Sequence, residues 1–294
     1  MGYNGRMTIH YDLHSHSIAS DGTLTAAALV ARARAGGVDV LALTDHDTTD
    51  GIAEAQRAAL EAGLDLVPGV EVSVTWNQQT VHVVGLHVDP ANAALQQGLR
   101  GLQAFRDWRA EEIGRRLEKA GVADAYEGAR AHAKGRIIGR THFAHYLVQC
   151  GRAASLREVF RRYLVHNKPG YVPGQWATLE EALEWIRQAG GQAVIAHPAR
   201  YRMTATKLRR LVGEFRDGGG VGIEVVSGSH SRDDVDRIAA LARSEGLLAS
   251  RGSDYHGPEN PWVELGRLHD LPTGLPALWE SEPWRAARAR WQVA

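Results

Sequence analysis

His14 and His16 stand two residues apart in "YDLHSHSIASDG", and Asp21 follows five residues later. Residues i and i+2 of a strand point to the same face, so an extended "LHSHS" aims both imidazoles at one point. Converging neutral imidazoles with a carboxylate close by suit a divalent metal. A His-x-His pair alone is a weak signal, more often a hydrogen-bonded pair of histidines than a ligand set, so further ligands are needed from elsewhere in the chain.

The chain supplies them at regular places. Short apolar runs alternate with helix-like segments: the alanine-rich "LTAAALVARARAGG" closed by Gly36 and Gly37, the buried strand "VDVLALTDHD", the helix "IAEAQRAALEAG" ending at Gly63, then "LDLVPGVEVSV" and "TVHVVGLHV" as strands. After residue 170 come helix "LEEALEWIRQAGG", strand "QAVIAHPA", a helix near 205–216, strand "VGIEVVS", helix "RDDVDRIAALARSEG" and strand "LLASRGSDYHG". Strands separated by helices of ten or more residues predict parallel βα units closed, or nearly closed, into a barrel. The C-terminal strand ends then carry His14 and His16, His46, Glu71, His82, His197, and Asp254 with His256. Six of the 14 histidines keep to that rim, and with Asp21, Glu71 and Asp254 they make nine candidate ligands. Nine are too many for one ion and suit two or three, with Glu71 suited to bridge because a carboxylate offers two oxygens.

Composition narrows the chemistry. A chain of 294 residues, 44% hydrophobic, can bury a large core, and no run approaches the roughly 18 apolar residues of a membrane span. The start, "MGYNGRMTIHYD", lacks the apolar stretch of a leader peptide, and the lone Cys150 excludes an intrachain disulfide or a thiolate cluster, so a cytoplasmic protein with His, Asp and Glu ligands is expected. The zero net charge hides an asymmetry: residues 100–168 hold 15 Lys and Arg against 7 Asp and Glu, a net of +8. An acidic body with a basic segment suits metals in one and an anionic substrate on the other.

That basic stretch also breaks the strand and helix alternation. Residues 92–168 read as helices without a strand between His82 and His197, predicting a small all-α subdomain inserted at the rim between barrel parts 7–91 and 169–294. The tail "LWESEPWRAARARWQVA", with Trp279, Trp284 and Trp291, reads as an amphipathic segment on the outside of the barrel.

In order, "DLHSHSIASDG", "ALTDHDTTDG", "GVEVS", "HVVGLHV", "AHPAR", "IEVVSGSH" and "GSDYHG" resemble the motifs of the polymerase-and-histidinol-phosphatase (PHP) metallophosphoesterases, from about residue 9 to 262. The resemblance implies a distorted (β/α)7 TIM-like barrel holding up to three divalent ions. One would lie on His14, His16, Glu71 and Asp254, a second on Glu71, His82 and His197, and a third on Asp21, His46 and His256. Aspartate at position 21, within "SDGTLT", together with the helical insert, resembles the stand-alone subgroup of 3′,5′-nucleoside bisphosphate phosphatases and a related 5′-to-3′ exoribonuclease.

The chemistry expected is hydrolysis of a phosphate ester by metal hydroxide, with Asp254 at the reacting centre. Nitrogen and oxygen donors favour Mn²⁺, with Fe²⁺ or Zn²⁺ as alternatives. Asp45 and Asp47, flanking His46, could orient a ligand imidazole or cap the following helix. Ser227 and His230, after a strand end, could hold phosphate, and His230 could protonate the leaving oxygen. Arg140 and His142 in "GRTH" are the leading candidates to hold a second phosphate remote from the metals, ahead of Lys134, Arg136 and Lys168, while Tyr171 could stack on a nucleoside. The partner expected is a small nucleotide or a short 5′-phosphorylated RNA, with no membrane and no obligate protein partner. A non-catalytic nucleotide or metal sensor is the reading of another class, and the full set of nine ligands argues against it.

Overall fold

The computed structural model describes residues 9–292; residues 1–8, where the absence of a leader was read, lie outside the described residues, as do 293–294. Seven strands form one sheet in chain order: β1 (Tyr11–Asp12), β2 (Val40–Leu43), β3 (Asp65–Trp76), β4 (Gln79–Leu86), β5 (Gln192–Ile195), β6 (Gly222–Ser227) and β7 (Leu248–Gly252). The sheet returns on itself, because Leu13 N–H donates to Arg251 O at 3.0 Å and Asp254 N–H to His14 O at 2.9 Å. Glycine at 252 permits this closure: a Cβ there would lie 2.3 Å from the Cβ of His14. The result is a nearly closed seven-stranded barrel with helical additions, the distorted TIM-like α/β architecture expected.

Helices α1 (Ala26–Ala35) and α2 (Ile52–Ala62) follow β1 and β2 as read from the sequence. The Thr25 hydroxyl caps α1 by accepting from Ala28 N–H, and Gly63, at φ 62°, ends α2 in the left-handed conformation glycine adopts freely. After β4 come α3 (Ala93–Lys119), α4 (Ala125–His132), α5 (Arg140–Gln149) and α6 (Leu156–Val159), the last continuing into a π-helical turn over Phe160–Leu164. Then α7 (Leu179–Gln188), α8 (Ala205–Asp217) and α9 (Arg232–Glu245) restore the alternation, and α10 (Glu282–Gln292) ends the described chain. No helix among the described residues is long and apolar enough to cross a membrane.

The sheet departs from the parallel expectation at β4, which runs antiparallel to both β3 and β5. Its cause is local. Only Asn77 and Gln78 separate β3 from β4, both at positive φ (45° and 62°), and a two-residue turn of that kind makes a hairpin, not a crossover.

The helical segment has its own core of Ile113, Leu117, Phe143, Leu147, Leu164 and Val172. The boundary expected at residue 92 falls at the start of α3, but Leu95, Leu99 and Leu102 of its first half pack into the barrel's outer core with Leu183 and Ile186. One helix thus serves both cores and ties the basic segment to the rim.

The tail differs from the expectation of an external packing segment. Trp284 is fully buried with Leu13, Ala42, Val67, Val84, Leu86 and Val194, the inward-facing residues at the opposite end of the barrel from the histidines. Tyr11 stacks on Trp279 at 4.3 Å, and the Trp284 ring meets His87 edge-on at 4.3 Å. A barrel open at that end would leave these side chains wet, and the tryptophans plug it.

Candidate metal centre

Glu71 sits in the middle of β3, fully buried, and each of its oxygens faces imidazole nitrogens. Oε1 lies 2.9 Å from His82 Nδ1 and 3.0 Å from His197 Nε2. Oε2 lies 2.9 Å from His46 Nδ1, 3.2 Å from His14 Nε2 and 3.3 Å from His16 Nε2. The topology makes this meeting necessary. His14 and His16 leave β1, His46 bridges to Glu71 after β2, and Ser73 pairs with His82 across the hairpin, which puts Glu71 and His82 on one face. His197 follows β5, and Asp254 and His256 follow β7.

All nine residues singled out from the sequence gather here. Asp254 Oδ1 is 3.5 Å from His14 Nε2 and 3.2 Å from His16 Nε2; Asp21 Oδ1 is 3.3 Å from His256 Nε2, and its Oδ2 is 3.9 Å from His46 Nε2. Three groups could each hold an ion: His16, Asp21, His46 and His256; His14, Glu71, His197 and Asp254; and His46, Glu71 and His82. His46 belongs to two of these groups, and His14 and His16 each lie within 3.5 Å of both Glu71 and Asp254. The arrangement is that of a multi-metal site.

The donor set fits divalent cations on the contacts themselves. His14 Nε2 and His16 Nε2 face each other at 3.0 Å. His14 Nδ1 directs its proton toward Glu224 Oε1, 2.6 Å away, so it is Nε2 that turns inward and offers a lone pair once its own proton is displaced. Glu71 Oε2 and His46 Nδ1 approach to 2.9 Å yet neither has an aligned hydrogen-bond partner, and Asp21 Oδ1 is likewise buried without one. Ligand bonds of roughly 2.0–2.2 Å give donor separations near 3.0–3.5 Å around one ion, which is the spacing found.

Charges divide accordingly. Burial opposes ionisation of Glu71, Asp21 and Asp254, but the imidazoles around each hold all three well below the usual carboxylate range. Burial pushes His46 down to about 4 and lowers His197. For His14 and His256 the carboxylates outweigh burial: Glu224, Glu71 and Asp254 raise the first well above its ordinary value, and Asp21 and Asp254 raise the second to about 10. The carboxylates are therefore ready ligands, while bound cations must displace protons from some of the histidines. His197 (φ 29°) and Asp254 (φ 57°) occupy the left-handed region, a strain that concentrates at functional sites.

Supports lie where the sequence reading did not place them. Glu224, buried in β6, orients His14 through Oε1 and accepts the His197 backbone N–H through Oε2 at 2.6 Å. Asp45 and Asp47 do not touch the His46 ring. Asp45 accepts from Ser17 N–H and from the hydroxyls of Ser17 and Ser20, holding the loop between His16 and Asp21, and Asp47 accepts from Ser73 N–H and Arg106. Their short side chains are used up by local backbone groups before they reach an imidazole. Tyr201 Oη accepts from His82 N–H at 2.8 Å, and Arg200 pairs with Asp254 Oδ2.

A basic flank adjoins the centre. Arg106 binds Asp47 Oδ2 at 2.6 Å and Ser73 Oγ at 2.8 Å, next to the ligands His46 and Glu71. Burial, followed by Arg140 and Arg106, lowers Arg109 to about 9; burial also lowers Arg140, which has no carboxylate at ion-pair distance among the described residues. Arg109 donates to Val172 O and Arg116 to Tyr171 O, fixing Tyr171 beside this cluster. His142 is buried, its Nδ1 accepting from Gly139 N–H at 3.0 Å, with Asp21 among the charges it feels. Lys134 lies 3.7 Å from Glu259, and Arg136 pairs with Asp107 at 2.9 Å, so both are engaged at the surface; Lys168 is exposed. Ser227 Oγ is 3.5 Å from Ser229 Oγ. His230 is held by two backbone groups, its Nδ1 3.0 Å from Val225 O and its Nε2 3.4 Å from the Ala199 nitrogen.

A 3′,5′-nucleoside bisphosphate phosphatase of Chromobacterium violaceum is 48% identical over 278 residues, covering 94% of this chain and 98% of that protein. The 5′-3′ exoribonuclease Rnm of Escherichia coli is 46% identical over 272 residues, 92% of each chain. Among solved structures, an amidohydrolase from Chromobacterium violaceum with bound sulfate and no metal superposes with a TM-score of 0.89 at 48% identity, covering 96% of both chains. Residues 12–196 match the PHP domain, and with nine ligand-type side chains converging at the rim of a seven-stranded barrel the chain belongs to the PHP family.

Proposed function

We propose that this enzyme removes the 3′-phosphate from nucleoside 3′,5′-bisphosphates, giving the nucleoside 5′-monophosphate and phosphate. The observation that carries the reading is the pairing of two features: Glu71, placed between five imidazoles, and, in the basic flank, Arg140, a half-buried arginine without a carboxylate at ion-pair distance among the described residues. His14, His16, Asp21, His46, Glu71, His82, His197, Asp254 and His256 are the proposed metal ligands. The nitrogen and oxygen donor set favours Mn²⁺.

When bound, the ions supply Lewis acidity toward the phosphoryl oxygens and make a water nucleophilic at neutral pH. The chain's own residues do the rest. Arg140, with Arg109 beside it, grips the 5′-phosphate by charge-assisted hydrogen bonds, and Arg106 adds positive field while anchored to Asp47 and Ser73. This grip sets which ester faces the ligands, so recognition at one phosphate becomes positioning at the other. Arg200, half exposed and paired with Asp254, can swing to a phosphoryl oxygen at the centre, and Ser227, buried at the end of β6, is the hydroxyl assigned to help hold it. Tyr171, its backbone carbonyl held by Arg116, is the residue assigned to the nucleoside.

A second reading, cleavage of the 3′-phosphodiester of a 5′-phosphorylated RNA, uses the same two phosphate positions, and the 46% identity to exoribonucleases favours keeping it. The test is a set of initial rates with Mn²⁺-loaded protein on adenosine 3′,5′-bisphosphate, adenosine 3′-monophosphate and adenosine 5′-monophosphate. The bisphosphate is expected to exceed both monophosphates in kcat/KM by at least tenfold. Equal rates on all three would remove the claim of 5′-phosphate recognition.

A further inference from the structure

Away from the ligands, a groove of about 910 Å³ opens between the helical segment and the barrel. Arg157 and Arg161 form one wall and Arg202 the other, with Phe160 and Val165 as apolar surface between them. The carboxylate of Glu158, which also lines it, is engaged by Arg162 at 3.2 Å and by Ala154 N–H at 2.9 Å. The three arginines make no ion pair among the described residues, although Glu158 lies near enough to feel the charge of Arg161. Two links tie the groove to the residues of the site. Arg202 follows Arg200, the partner of Asp254, and Tyr201, the partner of His82. Phe160 lies beneath the Arg140 guanidinium, 5.8 Å from the ring centroid. Arg161 projects from the π-helical turn Phe160–Leu164, an irregularity that recurs at functional sites.

We infer that this groove binds the single-stranded nucleic acid continuing beyond the scissile phosphate, Arg157, Arg161 and Arg202 taking successive backbone phosphates while Phe160 and Val165 meet the bases. The inference rests on the proposed function for its orientation, and it assigns the groove a role that a mononucleotide does not use. Guanidinium groups alternating with apolar surface are the pattern of sequence-tolerant single-strand binding. An acidic peptide would find the charges but would have no reason to lie against the ligand rim.

The experiment compares wild type with the Arg157→Gln/Arg161→Gln/Arg202→Gln variant. Binding of a fluorescent 5′-phosphorylated octaribonucleotide is followed by anisotropy in EDTA, across salt, and hydrolysis of the same RNA and of adenosine 3′,5′-bisphosphate is followed with Mn²⁺. The variant is expected to bind RNA at least tenfold more weakly and to lose about 2 from the salt slope, since each single-strand phosphate contact contributes about 0.7. Its KM for RNA rises at least tenfold, while the bisphosphate is turned over within twofold of wild type. Unchanged RNA affinity and salt slope overturn the inference, as does an equal fall on both substrates. Displacement of bound RNA by polyglutamate at equal charge concentration overturns it in favour of an acidic protein partner. If neither substrate is hydrolysed by wild type, the proposed function fails, and the anisotropy in EDTA still decides the groove separately.

Discussion

Glu224 Oε1 lies 2.6 Å from His14 Nδ1, and the same carboxylate receives the His197 N–H on its other oxygen. One buried side chain on β6 thus fixes the His14 ring just after β1 and the His197 backbone just after β5. Glu224→Gln keeps the shape but turns an anion into a neutral amide, so His14 loses basicity and its fixed tautomer. Losses of this kind are typically 10–100-fold in metal affinity. Dialysis against graded Mn²⁺ should show that weakening, with activity returning at excess metal. Wild-type affinity in the variant would make Glu224 a packing residue only.

Glu71 meets nitrogens from five histidines, so its loss touches more of the centre than any other single change. Glu71→Gln should lower bound metal by more than one equivalent and abolish turnover, with the far-ultraviolet circular dichroism unchanged. Loss of a single equivalent, with the rest retained, would argue against bridging.

Arg140→Ala should cut kcat/KM on adenosine 3′,5′-bisphosphate at least tenfold, since a charge-assisted contact is worth about 1.5–3 kcal/mol. Adenosine 3′-monophosphate offers that arginine nothing to hold, and its slow turnover should change little. Metal content should stay at the wild-type level. An equal fall on both substrates would place Arg140 at the reacting phosphoryl group.

His87 provides a pH dependence away from the ligands. Burial, then Arg290 and Arg288, push its imidazole down to about 4, and Nδ1 is buried without a partner. The unfolded chain, with a histidine near its ordinary value, binds the proton more readily. The contribution to stability is therefore complete above pH ~6.5 and declines as pH falls toward 4, by at most ~3 kcal/mol. Urea unfolding at pH 7, 5.5 and 4.5 in EDTA should show a steeper acid loss for wild type than for His87→Asn, a replacement suited to the positive φ of 57°. Parallel losses in the two proteins would contradict a buried neutral His87.

Why the ligands were readable and their supports were not follows from where each sits. His14, His16, His46, His197, Asp254 and His256 follow strands, where a polar residue interrupts an apolar run and stands out. Glu224 carries a signal of the same kind, a lone carboxylate inside "GIEVVS", but strand alternation alone does not say that its face is the barrel interior. Arg106 and Arg109 are spaced like surface residues of any long helix, and only the fold turns them toward Ser73 and Val172. The antiparallel β4 was written in "WNQQT", a turn too short for a crossover, and was masked by the regular alternation around it. Trp284 at the barrel's closed end depends on contacts with β1 and β2, more than 200 residues away, which no local pattern encodes.

The central claim is that the ligand cluster hydrolyses the 3′-ester while the 5′-phosphate stays in the arginine flank. The most direct measurement is product analysis by mass spectrometry after Mn²⁺-loaded protein acts on adenosine 3′,5′-bisphosphate in ¹⁸O-enriched water. The account predicts unlabelled adenosine 5′-monophosphate and inorganic phosphate carrying one ¹⁸O, and neither product with Glu71→Gln. Release of adenosine 3′-monophosphate, or label in the nucleotide instead of the phosphate, would contradict it.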